Sequence, residues 1–164
     1  YYNVEYNTGW FNQQCEVSDK FLFRTAEAYL NKAEAAVYLD DEDEARKQLN
    51  ALREKRYLDG SNYEVTEAGR DLIEVVREER RKELALEGHR WFDLRRYGGH
   101  PTFPEEKEIV HESVKNGTKI GYYRLAPYSE NSNNWVWPIP EDAVIFNDGA
   151  LVANERDGAP LVEY

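Results

Sequence analysis

The sequence predicts a mainly α protein: helix pairs followed by a loop-rich C-terminal region that contains a small β-hairpin. Three observations carry this expectation. Apolar residues recur every three or four positions through 18–56 and again through 67–87, the period of one helix face. Beyond Gly98 and Gly99 that period stops, and Pro101, Pro104, Pro127 and the polar run SENSNN punctuate the chain too densely for long helices. Within this second part Asn116-Gly117 separates two strand-like runs. The expected organisation is one domain with an irregular lead-in over 1–17, a helical core over 18–97, and hairpin, loops and tail over 98–164.

The first helix is placed at 18–39, with Ser18 and Asp19 as its N-terminal cap. Leu22, Ala26, Tyr29, Ala33 and Ala36 make its apolar face, whose alanines let a second helix approach closely. Arg24, Glu27, Asn31 and Glu34 line another face and can pair across to a neighbour. The five acids Asp40 to Glu44 do not fit a calcium loop, because Ala45 and Arg46 interrupt the alternation of oxygen ligands. Acids at a turn instead suit the start of a second helix over 43–56, with Ala45, Leu49 and Leu52 facing its partner. Two helices joined by a short turn, with Ala33, Ala45 and Leu49 at their contact, fit a tetratricopeptide-like pair.

A third helix follows over 67–87, with Leu72, Ile73, Val76, Leu84 and Leu86 as apolar positions. Gly88 ends it, and a short fourth helix runs over 89–97. The hairpin takes 108–115 and 118–125 with a tight primed turn at Asn116-Gly117. A short strand over 134–139 comes next, then a brief helix opened by Pro140-Glu141-Asp142 and reaching Phe146. The last sixteen residues, GALVANERDGAPLVEY, read as an extended tail laid back on the body.

Composition narrows the function. The 164 residues carry a net charge of −11, which repels phosphate backbones and argues against a nucleic-acid partner. The start of the chain shows neither a basic nor an apolar leader region, and with no methionine present the chain reads as a mature or excised piece. The lone Cys15 has no intramolecular disulfide partner and no Cys or His at zinc spacing. Aromatic residues make up 13% of the chain, and Tyr and Trp in loops suit sugar or peptide ligands because one face stacks while the polar tip bonds.

The run ERRKELALEGHRWFDLRRYG over 79–98 poses the sharpest choice. Its carboxylates at Glu79, Glu83, Glu87 and Asp93, with His89 among them, suggest a metal or acid/base site; the other reading is a structural latch between helices. A bundle-type di-iron site needs Glu-x-x-His pairs, whereas Glu87-Gly88-His89 has the wrong spacing and a glycine in it. A glycosidase needs one carboxyl kept protonated, and here Arg77, Arg80, Arg81, Arg90, Arg95 and Arg96 lie close enough to keep the acids ionised. No nucleophile elbow, phosphate loop or dinucleotide fingerprint is present. No catalytic residue, cofactor or metal is therefore expected.

Four blocks taken together carry a resemblance. FRTAEAYLNKAEA at 23–35, ARKQLNALREKR at 45–56, the ELALEGHRWFDLRR segment and Trp137-Pro138-Ile139-Pro140 resemble, in order, the C-terminal part of SusD/RagB-like outer-membrane nutrient-binding proteins. The resemblance implies tetratricopeptide-like helix pairs overlaid by loops and small strands. It further implies a cell-surface lipoprotein that binds glycans or other nutrients and lies as a lid on a TonB-dependent outer-membrane transporter. Such proteins bind and do not catalyse, and their membrane association rests on a lipid anchor that lies outside this chain.

On that basis the charged block is a brace, with Glu79, Glu83, Glu87, Arg90, Trp91, Asp93 and Arg95 locking the third and fourth helices against the helix pair; Arg24, Glu27, Glu34 and Trp137 join this latch set. Ligand contact falls to rings outside the helix pairs: Trp10, Tyr122, Tyr123 and Trp135. The alternative is a helical-repeat scaffold that docks on the transporter or another chain without touching the ligand itself.

Overall fold

The computed structural model describes residues 2–4, 13–15, 23–147, 150–156 and 161–163. In chain order its elements are β1 (Tyr2–Val4), β2 (Gln13–Cys15), α1 (Thr25–Tyr38), α2 (Glu42–Glu54), α3 (Gly69–Glu83), α4 (His89–Gly98), β3 (Ile109–Lys115), β4 (Thr118–Leu125), a 3-10 helix (Ser132–Trp135), α5 (Glu141–Ile145) and β5 (Leu161–Glu163). The protein is mainly helical, as its periodicity predicts, and the chain divides into two compact units, Tyr1–Glu83 and Leu84–Tyr164.

In the first unit α1 packs on α2 and α3. Its buried stripe is Ala26, Leu30, Ala33, Ala36 and Val37, and the small alanines bring the neighbouring backbones close. Two expectations are corrected here. Tyr29 is 37% exposed and Leu30, one step round the helix, takes the core position at 0%. The helix starts at Thr25, not near 18, because Arg24 is the extended N-cap at φ −120° and ψ 146°. Ser18, Asp19 and Leu22 lie outside the described residues. The lead-in, read as irregular, carries an antiparallel pair in which Tyr2 faces Cys15 and Val4 faces Gln13.

The acid run that follows is consumed by the turn. Asp40 takes the left-handed position at φ 60°, which short polar side chains tolerate. Its N–H bonds Val37 O at 3.1 Å, and the N–H of Asp41 reaches back to Ala36 O at 2.9 Å, closing the end of α1 as a Schellman motif. Asp41 then caps α2 by accepting from the N–H of Glu44 at 3.1 Å. Glu42 pairs with Arg46 and accepts from the N–H of Gly69 at 2.7 Å, which ties the start of α3 to the start of α2. Ala45, Leu49 and Leu52 of α2 are buried as the periodicity requires.

Leu72, Ile73 and Val76 bury the apolar face of α3. This helix ends at Glu83 and not at 87. Leu84 is buried, but Leu86 sits at φ 65° and is fully exposed, and a right-handed helix does not continue through a left-handed residue.

The second unit is built on α4 and a three-stranded antiparallel sheet of order β3-β4-β5. Leu94 and Tyr97 of α4 are buried. Gly98 faces Tyr128 so closely that a Cβ there would stand 2.5 Å from Tyr128 Cβ, which leaves room only for glycine. The hairpin forms as predicted, with Asn116 at φ 52° and Gly117 at φ 76° making the primed turn. The tail supplies a strand: Leu161 faces Tyr123, Val162 faces Tyr122 and Glu163 faces Gly121. The strand expected over 134–139 is replaced by the 3-10 helix, because the Asn131 side chain caps the N–H of Asn134 at 3.3 Å and Trp135 turns into the core. The brief helix after Pro140 is α5.

Candidate functional site

Two groups of side chains gather the residues that the sequence singles out, and each belongs to one unit. In the first unit the charged faces of α1, α2 and α3 meet. Arg24 donates to Glu83 Oε1 at 3.0 Å and to the Glu83 carbonyl at 2.7 Å. Arg56 donates to both oxygens of the same carboxylate at 2.9 and 2.8 Å. Arg53 bonds Glu79 at 2.8 Å, and Glu79 is 5% exposed. Arg80, also 5% exposed, donates to Asn31 at 2.8 Å and lies 3.7 Å from Glu27. Glu34 accepts from Tyr38 Oη at 2.5 Å, and Arg77 in turn donates to that hydroxyl at 3.2 Å.

The electrostatics follow from this pairing. The Arg56 guanidinium holds the Glu83 carboxyl below its ordinary range, with Arg24 adding to the effect. Arg81 does the same for Glu78, and Lys32 with Gln48 draws Glu44 down to about 2. Burial beside Glu34 pushes the Tyr38 hydroxyl up. Glu83, Glu78 and Glu44 are thereby kept ionised at neutral pH and serve as acceptors, which is not the condition of a general acid. Among the described residues there is no group of three or more His, Cys, Asp or Glu arranged to hold a metal.

In the second unit the rings gather. Trp91 of α4 stacks on Trp135 at 5.3 Å between centroids and 23° between planes. It also meets Trp137 at 5.4 Å and 53°. Trp135 is 1% exposed and its indole N–H donates to Ala126 O at 2.8 Å; Trp137 is 64% exposed. The chain after α5 pins this segment: Arg156 donates to Val136 O at 2.7 Å and Asn134 O at 3.1 Å, and Asn154 donates to Trp137 O at 3.4 Å. Among the described residues, the Trp91 indole N–H and Asn134 Oδ1 are buried without a hydrogen-bond partner. Asp93 is buried against Arg96 at 3.1 Å, Arg90 lies 4.0 Å from Glu105, and Glu87 and Arg95 are exposed.

The four rings named from sequence for ligand contact therefore separate. Trp10 lies outside the described residues. Trp135 is a core ring with no face open to a ligand, which corrects the expectation for it. Tyr122 and Tyr123 are neighbours on β4 and so point to opposite sides of the sheet; they cannot form one stacking platform. Tyr123 is 41% exposed and pairs across from His111, while Tyr122 pairs across from Glu112.

The model of the SusD family matches residues 4–156. The chain belongs to the SusD family. It is also similar to a SusD-like protein from Bacteroides fragilis known from its crystal structure, with a TM-score of 0.51 and 28% identity. That likeness covers 79% of this chain and 24% of the other, so the chain spans about a quarter of the SusD-like protein it matches. No curated protein sequence matches it.

Within this SusD-family chain, Trp137, expected in the latch, packs on Trp91 of α4 and yet is 64% exposed. The Trp-Val-Trp spacing was the available signal: residues two apart in an extended segment face the same way, but the 3-10 helix ends at Trp135 and breaks that rule. One tryptophan goes into the core and the other to the surface.

Proposed function

We propose that the chain is part of a cell-surface glycan- or nutrient-binding component of an outer-membrane uptake system, which presents its ligand to a TonB-dependent transporter. The SusD-family match over nearly the whole chain carries this reading. The chemistry is compatible with it: exposed Trp137 and Tyr123 offer flat apolar faces with polar edges, the form of surface that takes sugar rings. In this reading the protein binds and releases, catalyses nothing, and is held at the outer membrane by a lipid anchor. No helix among the described residues is long and apolar enough to cross a membrane.

Isothermal titration of the chain against maltoheptaose, xylohexaose, cellohexaose and mannohexaose, with urea unfolding alongside, tests the proposal. Saturable binding of one of these glycans by a cooperatively folded chain is the expected result. A folded chain that binds none of them would overturn the reading for this part of the protein.

A further inference from the structure

We infer that Asn116-Gly117, at the tip of the β3-β4 hairpin, is a self-modification site: the Asn116 carboxamide converts without an enzyme to aspartate and isoaspartate, changing the charge and the backbone of the tip. This inference stands independently of the glycan-binding reading.

The chemistry starts from the sequence. Asparagine is among the thermolabile side chains. The main-chain nitrogen of the next residue lies within reach of its carboxamide carbon. At Gly117 that nitrogen gives its proton to water and forms a bond to Asn116 Cγ, while the bond from Cγ to Nδ2 breaks and ammonia leaves with a proton from water. The cyclic imide that results takes up water. Opening at Cγ gives aspartate; opening at the main-chain carbonyl carbon gives isoaspartate, in which the chain runs through the former side chain. Amide and water go in, acid and ammonia come out, and nothing is oxidised or reduced. A side chain on the following residue would shield the attacking nitrogen, and Asn116 is the only asparagine of the chain followed by glycine.

The structure leaves this pair open. Both residues are exposed, and a Cβ built on Gly117 meets nothing within 4 Å. Other asparagines are anchored by their side chains. Asn31 accepts from Arg80 at 2.8 Å, Asn50 from the N–H of Val65 at 2.9 Å and Asn131 from the N–H of Asn134 at 3.3 Å, while Asn154 donates to Trp137 O at 3.4 Å. No such bond holds the Asn116 carboxamide among the described residues. Lys115 and Lys119 flank the turn, and positive charge favours the amide anion that attacks.

The turn sets both pace and outcome. Asn116 at φ 52° and Gly117 at φ 76° are held in the left-handed region, which the backbone has to leave for the ring to close. An exposed hairpin tip opens locally at low cost, so the folded chain reacts, but more slowly than an unfolded one. Aspartate keeps the left-handed position, which short polar side chains tolerate, and sets a carboxylate next to Lys115. Isoaspartate lengthens the main chain of the tight loop, so Lys115 and Thr118 no longer face each other as they do in the native register.

The test is to incubate the full chain at mildly alkaline pH, folded and in urea, and to map its peptides by mass over time, with isoaspartate counted by enzymatic methyl transfer. The Asn116→Gly variant, whose Gly-Gly turn suits the same hairpin, is the blank. The expected result is conversion at Asn116 in the folded chain at least about tenfold faster than at Asn31, Asn50, Asn131 or Asn154, a barrier difference of about 1.4 kcal/mol, with isoaspartate the main product and faster conversion still in urea. Conversion at Asn116 in urea alone would show that the turn protects the pair and would overturn the inference. So would conversion in the folded chain no faster than at the anchored asparagines.

Discussion

In the first unit α3 turns charge inward: Glu79 and Arg80 are each 5% exposed, and each meets a charged or amide group on α1 or α2. In the second unit α4, which begins six residues after α3 ends, turns a ring inward, and Trp91 meets Trp135 and Trp137. One continuous block of sequence thus supplies both devices. The difference teaches that helices can be joined by directional contacts or by area. Carboxylate and guanidinium fix register through geometry and lose much of their strength if one partner goes, whereas stacked rings contribute mainly apolar surface and tolerate small shifts.

The sharpest way to break the comparison is at Trp135. It is 1% exposed and carries both the stack on Trp91 and the bond to Ala126 O. Trp135→Ala should destabilise the protein by about 4 to 5 kcal/mol, read from urea unfolding followed by tryptophan fluorescence. A loss under about 1 kcal/mol would mean that the ring stack is incidental to the second unit.

How much of this was legible beforehand depends on the range of the interaction. Ala33, Leu49, Leu72 and Val76 were readable because burial in a helix repeats with the helix period, and the Asn116-Gly117 turn was readable because its backbone conformation demands those residues. The start of α1 was not, since it is set by Arg24 reaching a carboxylate 59 positions away. Nor was the sorting of Trp135 from Trp137: both are tryptophans in one short segment, and a local cap at Asn131 decides which of them is buried. The strand Leu161–Glu163 was missed because its three residues have no pattern of their own and pair only through β4. Within the charged block, the residue types announced pairing, but only the fold assigned Glu83 to Arg24 and Arg56, and Asp93 to Arg96.

A second experiment sharpens the contrast inside the first unit. Arg53→Ala leaves the Glu79 carboxylate buried without its guanidinium, and this should cost about 3 kcal/mol in the same unfolding measurement. Arg81→Ala removes a pair of shorter separation, 2.6 Å, but its two side chains are 53% and 42% exposed, so the loss should stay under about 1 kcal/mol. Equal losses would show that burial does not set the strength of these pairs. Distance alone would then be the better guide.

A further effect, smaller than that of Arg53→Ala, has a definite pH signature. Glu83 accepts from Arg56 and Arg24, and these guanidiniums outweigh the opposing effect of its burial, so its carboxyl titrates below the ordinary value of 4.5 in the folded protein. A carboxyl with a depressed folded pKa binds fewer protons folded than unfolded, so the stability it contributes is fully present above the unfolded pKa and is lost as pH falls through the folded one. Glu83→Gln should therefore be less stable than wild type by about 2 kcal/mol at pH 7, through weakened charge-assisted bonds to two guanidiniums. That gap should narrow steadily below about pH 4.5, where wild type is also becoming neutral at this position. Urea midpoints taken between pH 7 and pH 3.5 decide the matter. A gap that stays constant over that range would mean that Glu83 holds α1, α2 and α3 together by shape and neutral hydrogen bonding, and the contrast between a charged unit and an aromatic one would lose its physical basis.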